Sequence, residues 1–128
     1  MTDAPAAPAL TRAVQHYFDL MYDSDPARFD HVFRPTAHLH GFRDGRLTTM
    51  SAPAFKDLLA SRPSPKSLNA PREEQLLLMD FASPTQALVK VRVRIDTTVF
   101  VDYLTYHHVD GDWMITSKAY HVESSGRA

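Results

Sequence analysis

The stretch Val99–Val122, VFVDYLTYHHVDGDWMITSKAYHV, decides the fold. Two runs rich in β-branched and aromatic residues flank Asp110-Gly111, a dipeptide suited to a two-residue hairpin loop because both positions tolerate positive φ. With that loop, Val109 faces Asp112. An unbroken register then sets Tyr106 opposite Ile115, Leu104 opposite Ser117, Asp102 opposite Ala119 and Phe100 opposite His121. Alternation of side chains puts Phe100, Asp102, Leu104, Tyr106, Trp113, Ile115, Ser117 and His121 on one face. Val99, Val101, Tyr103, Met114, Lys118, Tyr120 and Val122 take the other. Neither face reads as solvent-facing, so the hairpin needs cover on both sides.

Working upstream, Gln86 to Asp96 alternates cleanly. Ala87, Val89, Val91, Val93 and Ile95 point one way, and Leu88, Lys90, Arg92, Arg94 and Asp96 the other, as in a half-buried antiparallel strand. Glu73 to Phe81 reads as a further strand, with a turn at Ser83-Pro84. Before it, Pro63, Pro65 and Pro71 mark a loop. A helix capped by Ser51 buries Phe55, Leu58 and Leu59, and residues 36–50 form a small hairpin turning at Asp44-Gly45. Asp25 and Pro26 suit the cap and first position of a short helix with Phe29, Val32 and Phe33 as its stripe, stopped by Pro35. Leu10, Val14, Tyr17, Phe18 and Met21 recur at helical spacing to about Asp23. Three helices on one face of a curved, largely antiparallel sheet make an α+β architecture. The expected organisation is one domain over 10–123 between flexible tails at 1–9 and 124–128.

Composition narrows the function classes. The chain has 128 residues, 44% hydrophobic and 23% charged, with a formal net charge of −1 and no cysteine. That balance offers no basic face for nucleic acid, and no run approaches the roughly 20 apolar residues of a membrane span. Disulfide and thiol chemistry are excluded, and a cytoplasmic location is expected.

The pieces Phe29-x-x-Val32-Phe33-x-Pro35-x-Ala37-x-Leu39 and Asp110-Gly111-x-Trp113-x-Ile115, in this element order, resemble the nuclear transport factor 2-like (NTF2-like) superfamily. Asp102-Tyr103-Leu104 and Trp113-x-Ile115-x-x-Lys118 are similar to its bacterial branch labelled lumazine-binding, close to the SnoaL-like group. The resemblance covers about residues 10–123. It implies a cone in which a curved sheet wraps the helices and leaves a cavity at its wide end. Isomerases, dehydratases and cyclases use that fold, and so do proteins that only bind, so fold alone selects no activity. In ketosteroid isomerase members a carboxylate base sits on the first strand; here that position falls on Gly41, which carries no base.

Asp102 and His121 are the candidate catalytic pair. On the unbroken register they lie diagonally on the Trp113 face, about 7–8 Å apart. A carboxylate that orients an imidazole makes a general base near neutral pH. The alternative role of the pair is a structural ion pair or hydrogen bond that closes a polar gap in the sheet. Tyr17, Leu39, Tyr106 and Ser117 are the expected ligand-lining residues. His38-x-His40 lacks the further ligands of a metal site, so no metal and no cofactor are expected. Two function classes stand: a cofactor-independent SnoaL-like lyase, isomerase or hydratase acting on a small apolar molecule with oxygen functions, and a non-catalytic binding or assembly module. The apolar outer row Val99, Val101, Tyr103, Met114, Tyr120 and Val122 suggests a homodimer.

Overall fold

The computed structural model describes residues 6–125. Helix α1 (Ala6–Asp23) buries Leu10, Val14, Tyr17, Phe18, Leu20 and Met21, the stripe its periodicity requires. Of the tails expected at 1–9 and 124–128, Ala6–Ala9 belong to α1 and Ser124–Ser125 to β6, and residues 1–5 and 126–128 lie outside the described residues. Ser24 then takes a positive φ, and its N–H bonds back to the Leu20 carbonyl, closing the last turn. Asp25 caps α2 (Pro26–Phe29) by accepting from the Ala27 N–H at 3.0 Å. This helix is a single turn. Phe33, expected on its stripe, is instead the first residue of β1 (Phe33–Arg43), which pairs with β2 (Arg46–Ser51). Asp44 and Gly45 both adopt positive φ, as a primed hairpin turn demands. Helix α3 (Ala52–Ser61) starts under a hydrogen bond from the Ala54 N–H to Ser51 Oγ.

The remaining chain is strand: β3 (Glu74–Ser83), β4 (Gln86–Ile95), β5 (Thr98–Val109) and β6 (Asp112–Ser125). One six-stranded sheet results, ordered β2-β1-β6-β5-β4-β3. Only the β1–β6 pairing is parallel; the other four are antiparallel. The inward row of β4 (Ala87, Val89, Val91 and Val93) is buried as its alternation requires. On the other face Arg94 pairs with Glu73 and Arg92 with Glu123. The architecture is α+β: three helices seated in a curved, mixed, open sheet.

The long hairpin departs from its expected register at two places, at Thr105/Tyr106 and, near its far end, at Val99/Phe100, where Glu123 is skipped; the first sets the site. From the turn, Val109 faces Asp112, His108 faces Trp113 and Tyr106 faces Ile115. Then Thr105 pairs with Ser117, so Thr116 is an extra residue in β6. This is a β-bulge, and one extra residue exchanges the two faces of everything beyond it. Thr116 Oγ1 holds the bulge on the outer face, 2.6 Å from His107 Nδ1 and 3.4 Å from the Thr105 carbonyl. Beyond it Leu104 faces Lys118, Asp102 faces Tyr120 and Phe100 faces Val122. Lys118, Tyr120 and Val122 therefore turn inward, and Ala119 and His121 outward. The parallel neighbour β1 follows, with Leu39 beside Lys118 and Gly41 beside Tyr120.

Candidate functional site

Four segments meet at the floor of the cone. Tyr17 comes from the inner stripe of α1, Phe55 from that of α3, Asp102 from β5 and Lys118 from β6 beyond the bulge. The Asp102 and Lys118 side chains are 1% and 5% exposed. Tyr17 OH donates to Asp102 Oδ2 at 2.5 Å, and Lys118 Nζ lies 3.9 Å from the same oxygen. That second distance exceeds a hydrogen bond. Instead the ammonium position is walled by the rings of Phe55 and Tyr17, with centroids 4.8 and 5.2 Å away, and by Met21 Sδ at 3.9 Å. Among the described residues, Asp102 Oδ1 and Tyr106 OH have no hydrogen-bond partner.

Lys118 also lines a cavity of about 360 Å³. Leu39, Met50, Phe55, Leu58, Ile95 and Phe100 supply its apolar surface. Arg43, Arg62, Thr48 and Tyr120 complete it. The Tyr120 hydroxyl sits 2.6 Å from Thr48 Oγ1, and its ring lies flat where a Cβ on Gly41 would go. Gly41 is thus a packing requirement of Tyr120, and the strand position of an isomerase base is closed by that ring.

The electrostatics follow from burial. Burial pushes the Asp102 carboxyl above the usual range, opposed by the Lys118 charge and the Tyr17 hydrogen bond. Burial pulls Lys118 below the usual lysine range; Asp102 opposes this and the charge of Arg62 adds to it. Tyr17 is raised by burial, then by the Asp102 charge. Arg62 is lowered by burial and by Arg43. Three cations thus share the cavity wall. Asp102, the carboxylate beside Lys118, is already engaged by Tyr17.

Of the residues expected to form the site, the structure brings Asp102 and Tyr17 together and places Leu39 in the cavity wall. It does not bring His121: that side chain is exposed on the outer face, because the bulge reversed it. Ser117 lies opposite Thr105, on the outer side of the bulge. Tyr106 is fully buried and does not line the cavity. Lys118, Arg62 and Tyr120 were missed. His38 and His40 are exposed on β1, and among the described residues no group of three metal-ligating side chains assembles.

The fold and cavity define an NTF2-like protein. Residues 6–121 match the family described as "Putative lumazine-binding", and the chain belongs to that family. Solved structures agree on the fold. An NTF2-like protein of unknown function from Silicibacter pomeroyi DSS-3 matches with a TM-score of 0.84 at 24% identity, covering 96% of this chain and 100% of that one. One from Shewanella baltica OS155 gives 0.83 at 21% identity, covering 98% and 99%. A ketosteroid isomerase-like protein from Erwinia carotovora atroseptica gives 0.73 at 10% identity, covering 95% and 99%. Among curated proteins, the chain is 28% identical over 107 residues to "Aldolase FrzH" of Cladobotryum sp., covering 82% of each chain. No helix among the described residues is long and apolar enough to cross a membrane.

The Asp102–Lys118 pair makes a pH-dependent prediction. A carboxyl with a raised folded pKa loses stability as pH climbs, because the unfolded chain ionises first. A lysine with a lowered folded pKa costs stability at low pH, and the cost fades as pH rises. Lys118→Met removes the lysine cost and deepens the carboxyl cost, since the cation that draws Asp102 down is gone. Relative to wild type, the variant should therefore fare best near about pH 5 and lose ground toward about pH 8. Thermal melts across that range check this; a difference constant with pH would show that the two groups are not coupled.

Proposed function

We propose that this protein is a cofactor-independent enzyme acting at the carbonyl group of a small, mostly apolar molecule that also carries an acidic group. The observation that carries the reading is Lys118: a buried amine, walled by aromatic rings, in the lining of a mostly apolar cavity. A desolvated lysine is suited to proton transfer near neutral pH, where an exposed one stays fully charged. Beside a bound carbonyl, its neutral form takes a proton from the adjacent carbon. Its protonated form steadies the oxygen of the resulting enolate. Asp102 and Tyr17 stand behind it as positioning residues that set its charge state. His121 has no part in this chemistry.

The cavity supports the ligand class. Its volume of about 360 Å³ falls near the lower end of small-molecule sites, which run about 300–1,000 Å³. Arg43 and Arg62 line it, and neither appears in an ion pair among the described residues, so an acidic group on the ligand would complete them. The curated relative named as an aldolase is consistent with carbonyl chemistry, since aldol reactions begin with loss of a proton beside a carbonyl. The SnoaL-like lyase or isomerase class shares that step.

The test is hydrogen exchange. Incubated in D2O with a panel of keto acids, the protein should speed deuterium uptake beside the carbonyl of at least one member, as read by proton NMR. Lys118→Met should abolish the effect. Asp102→Asn should keep it and move its pH profile downward, because the Asp102 charge holds the Lys118 pKa up. No exchange above the buffer rate across the panel would favour the binding-module alternative.

The homodimer is proposed on a corrected surface. The bulge withdraws Tyr120 and Val122 to the inner face. The outer row that remains holds Tyr103 at 46% and Leu78 at 48% exposure, near Leu88, Val101 and Met114. A second copy of the chain would cover it. Light scattering at micromolar concentration should give twice the chain mass, and a monomer mass would count against the interface.

A further inference from the structure

We propose that the Lys118 amine is a covalent nucleophile that condenses with the carbonyl of the bound ligand, holding it on the protein as an imine. The inference deepens the carbonyl-chemistry reading above and rests on it. Its basis is the geometry around Nζ. A lysine kept for an ion pair sits about 2.7–2.9 Å from its carboxylate. Lys118 Nζ stands 3.9 Å from Asp102 Oδ2, and among the described residues its one other polar contact is the Met21 sulfur at 3.9 Å. The nitrogen is therefore held in place by rings and packing while its hydrogens stay free of strong acceptors. It also borders the cavity, so a carbonyl carbon can reach it.

The other lysines lack this setting. Lys56 is bonded to Asp30 at 3.0 Å, Lys66 is exposed, and Lys90 lies over the Tyr103 ring on the outer face. Desolvation and a nearby cation, here Arg62, are the two conditions that leave a lysine neutral and nucleophilic.

The step balances without an oxidant or reductant. The neutral nitrogen adds its lone pair to the carbonyl carbon, and the C=O π pair moves to the oxygen, which takes up a proton. The nitrogen releases a proton, for which Asp102 Oδ2 is the nearest base. The resulting hydroxyl leaves as water with a second proton, and the nitrogen lone pair closes the C=N bond. The sum is neutral amine plus carbonyl plus one proton giving iminium plus water. The iminium then draws electrons from the neighbouring carbon more strongly than the parent carbonyl does.

The test traps the imine on the intact wild-type protein with formaldehyde, the smallest carbonyl probe, and cyanoborohydride, followed by peptide mass mapping. Lys118 should acquire the reduced adduct before Lys56, Lys66 and Lys90 despite its burial, and should keep reacting at pH values well below the ordinary lysine range. Lys118→Met should lose that first adduct. Adducts on the three other lysines with Lys118 untouched or last would overturn the inference. The same mapping, run on the exchange-active keto acid, separates the two claims. Exchange with no trapped adduct overturns the imine and leaves proton transfer by Lys118 standing, whereas loss of both overturns both.

Discussion

One extra residue, Thr116, determines what this cone contains. Its hydroxyl lies 2.6 Å from His107 Nδ1 and caps the Thr105 carbonyl on the outer face, so β6 advances by one position against β5. Because side chains in a strand alternate with a period of two, that single step exchanges inside for outside from Ser117 to Val122, beyond which a second shift skips Glu123. Without it Lys118 would lie on the outer face, where lysine is usually found, and His121 would point into the core. With it an amine enters the cone opposite Leu104 and diagonal to Asp102. Leu39, Gly41 and Tyr120 follow from the same shift.

The arrangement is unfavourable as pure architecture. A buried carboxyl and a buried amine each resist charging, and their mutual attraction across 3.9 Å recovers only part of the desolvation. An apolar pair of similar size would fill the floor of the cone with less strain on the fold. Leaving Asp102 Oδ1 and Tyr106 OH without partners among the described residues adds roughly 1–3 kcal/mol each. Sites that sacrifice stability in this way concentrate where chemistry is done, because a group tuned away from its ordinary pKa is useful in a dry pocket. The aromatic cluster of Phe29, Phe33 and Phe55, with Phe29 and Phe33 stacked at 4.8 Å, provides the packing that tolerates it.

Much of the fold was legible in the sequence because its signals are local. Asp44-Gly45 and Asp110-Gly111 supply the positive φ their turns need, Ser51 and Asp25 cap their helices, and β4 alternates without a break. Tyr17 and Leu39 were readable from helix and strand periodicity. The site as a whole was not, because the expected register ran through the bulge as though β6 were regular. A signal was present all the same: Trp113 and Ile115 are apolar in one phase, and Tyr120 and Val122 in the other. A phase change inside one strand marks a bulge. The end of α2 was misjudged for a different reason. Val32 and Phe33 fit a helical stripe as well as a strand, and the parallel pairing of Phe33 with Ile115 decided between them.

The central claim is that Lys118 is a buried amine whose charge is set by Asp102. The most direct measurement is an NMR titration of the side-chain signals of all four lysines. The account requires Lys118 to lose its proton below the ordinary lysine range, with its transition visible also at Tyr17. A Lys118 signal that titrates within the ordinary lysine range would place the amine in water and contradict it.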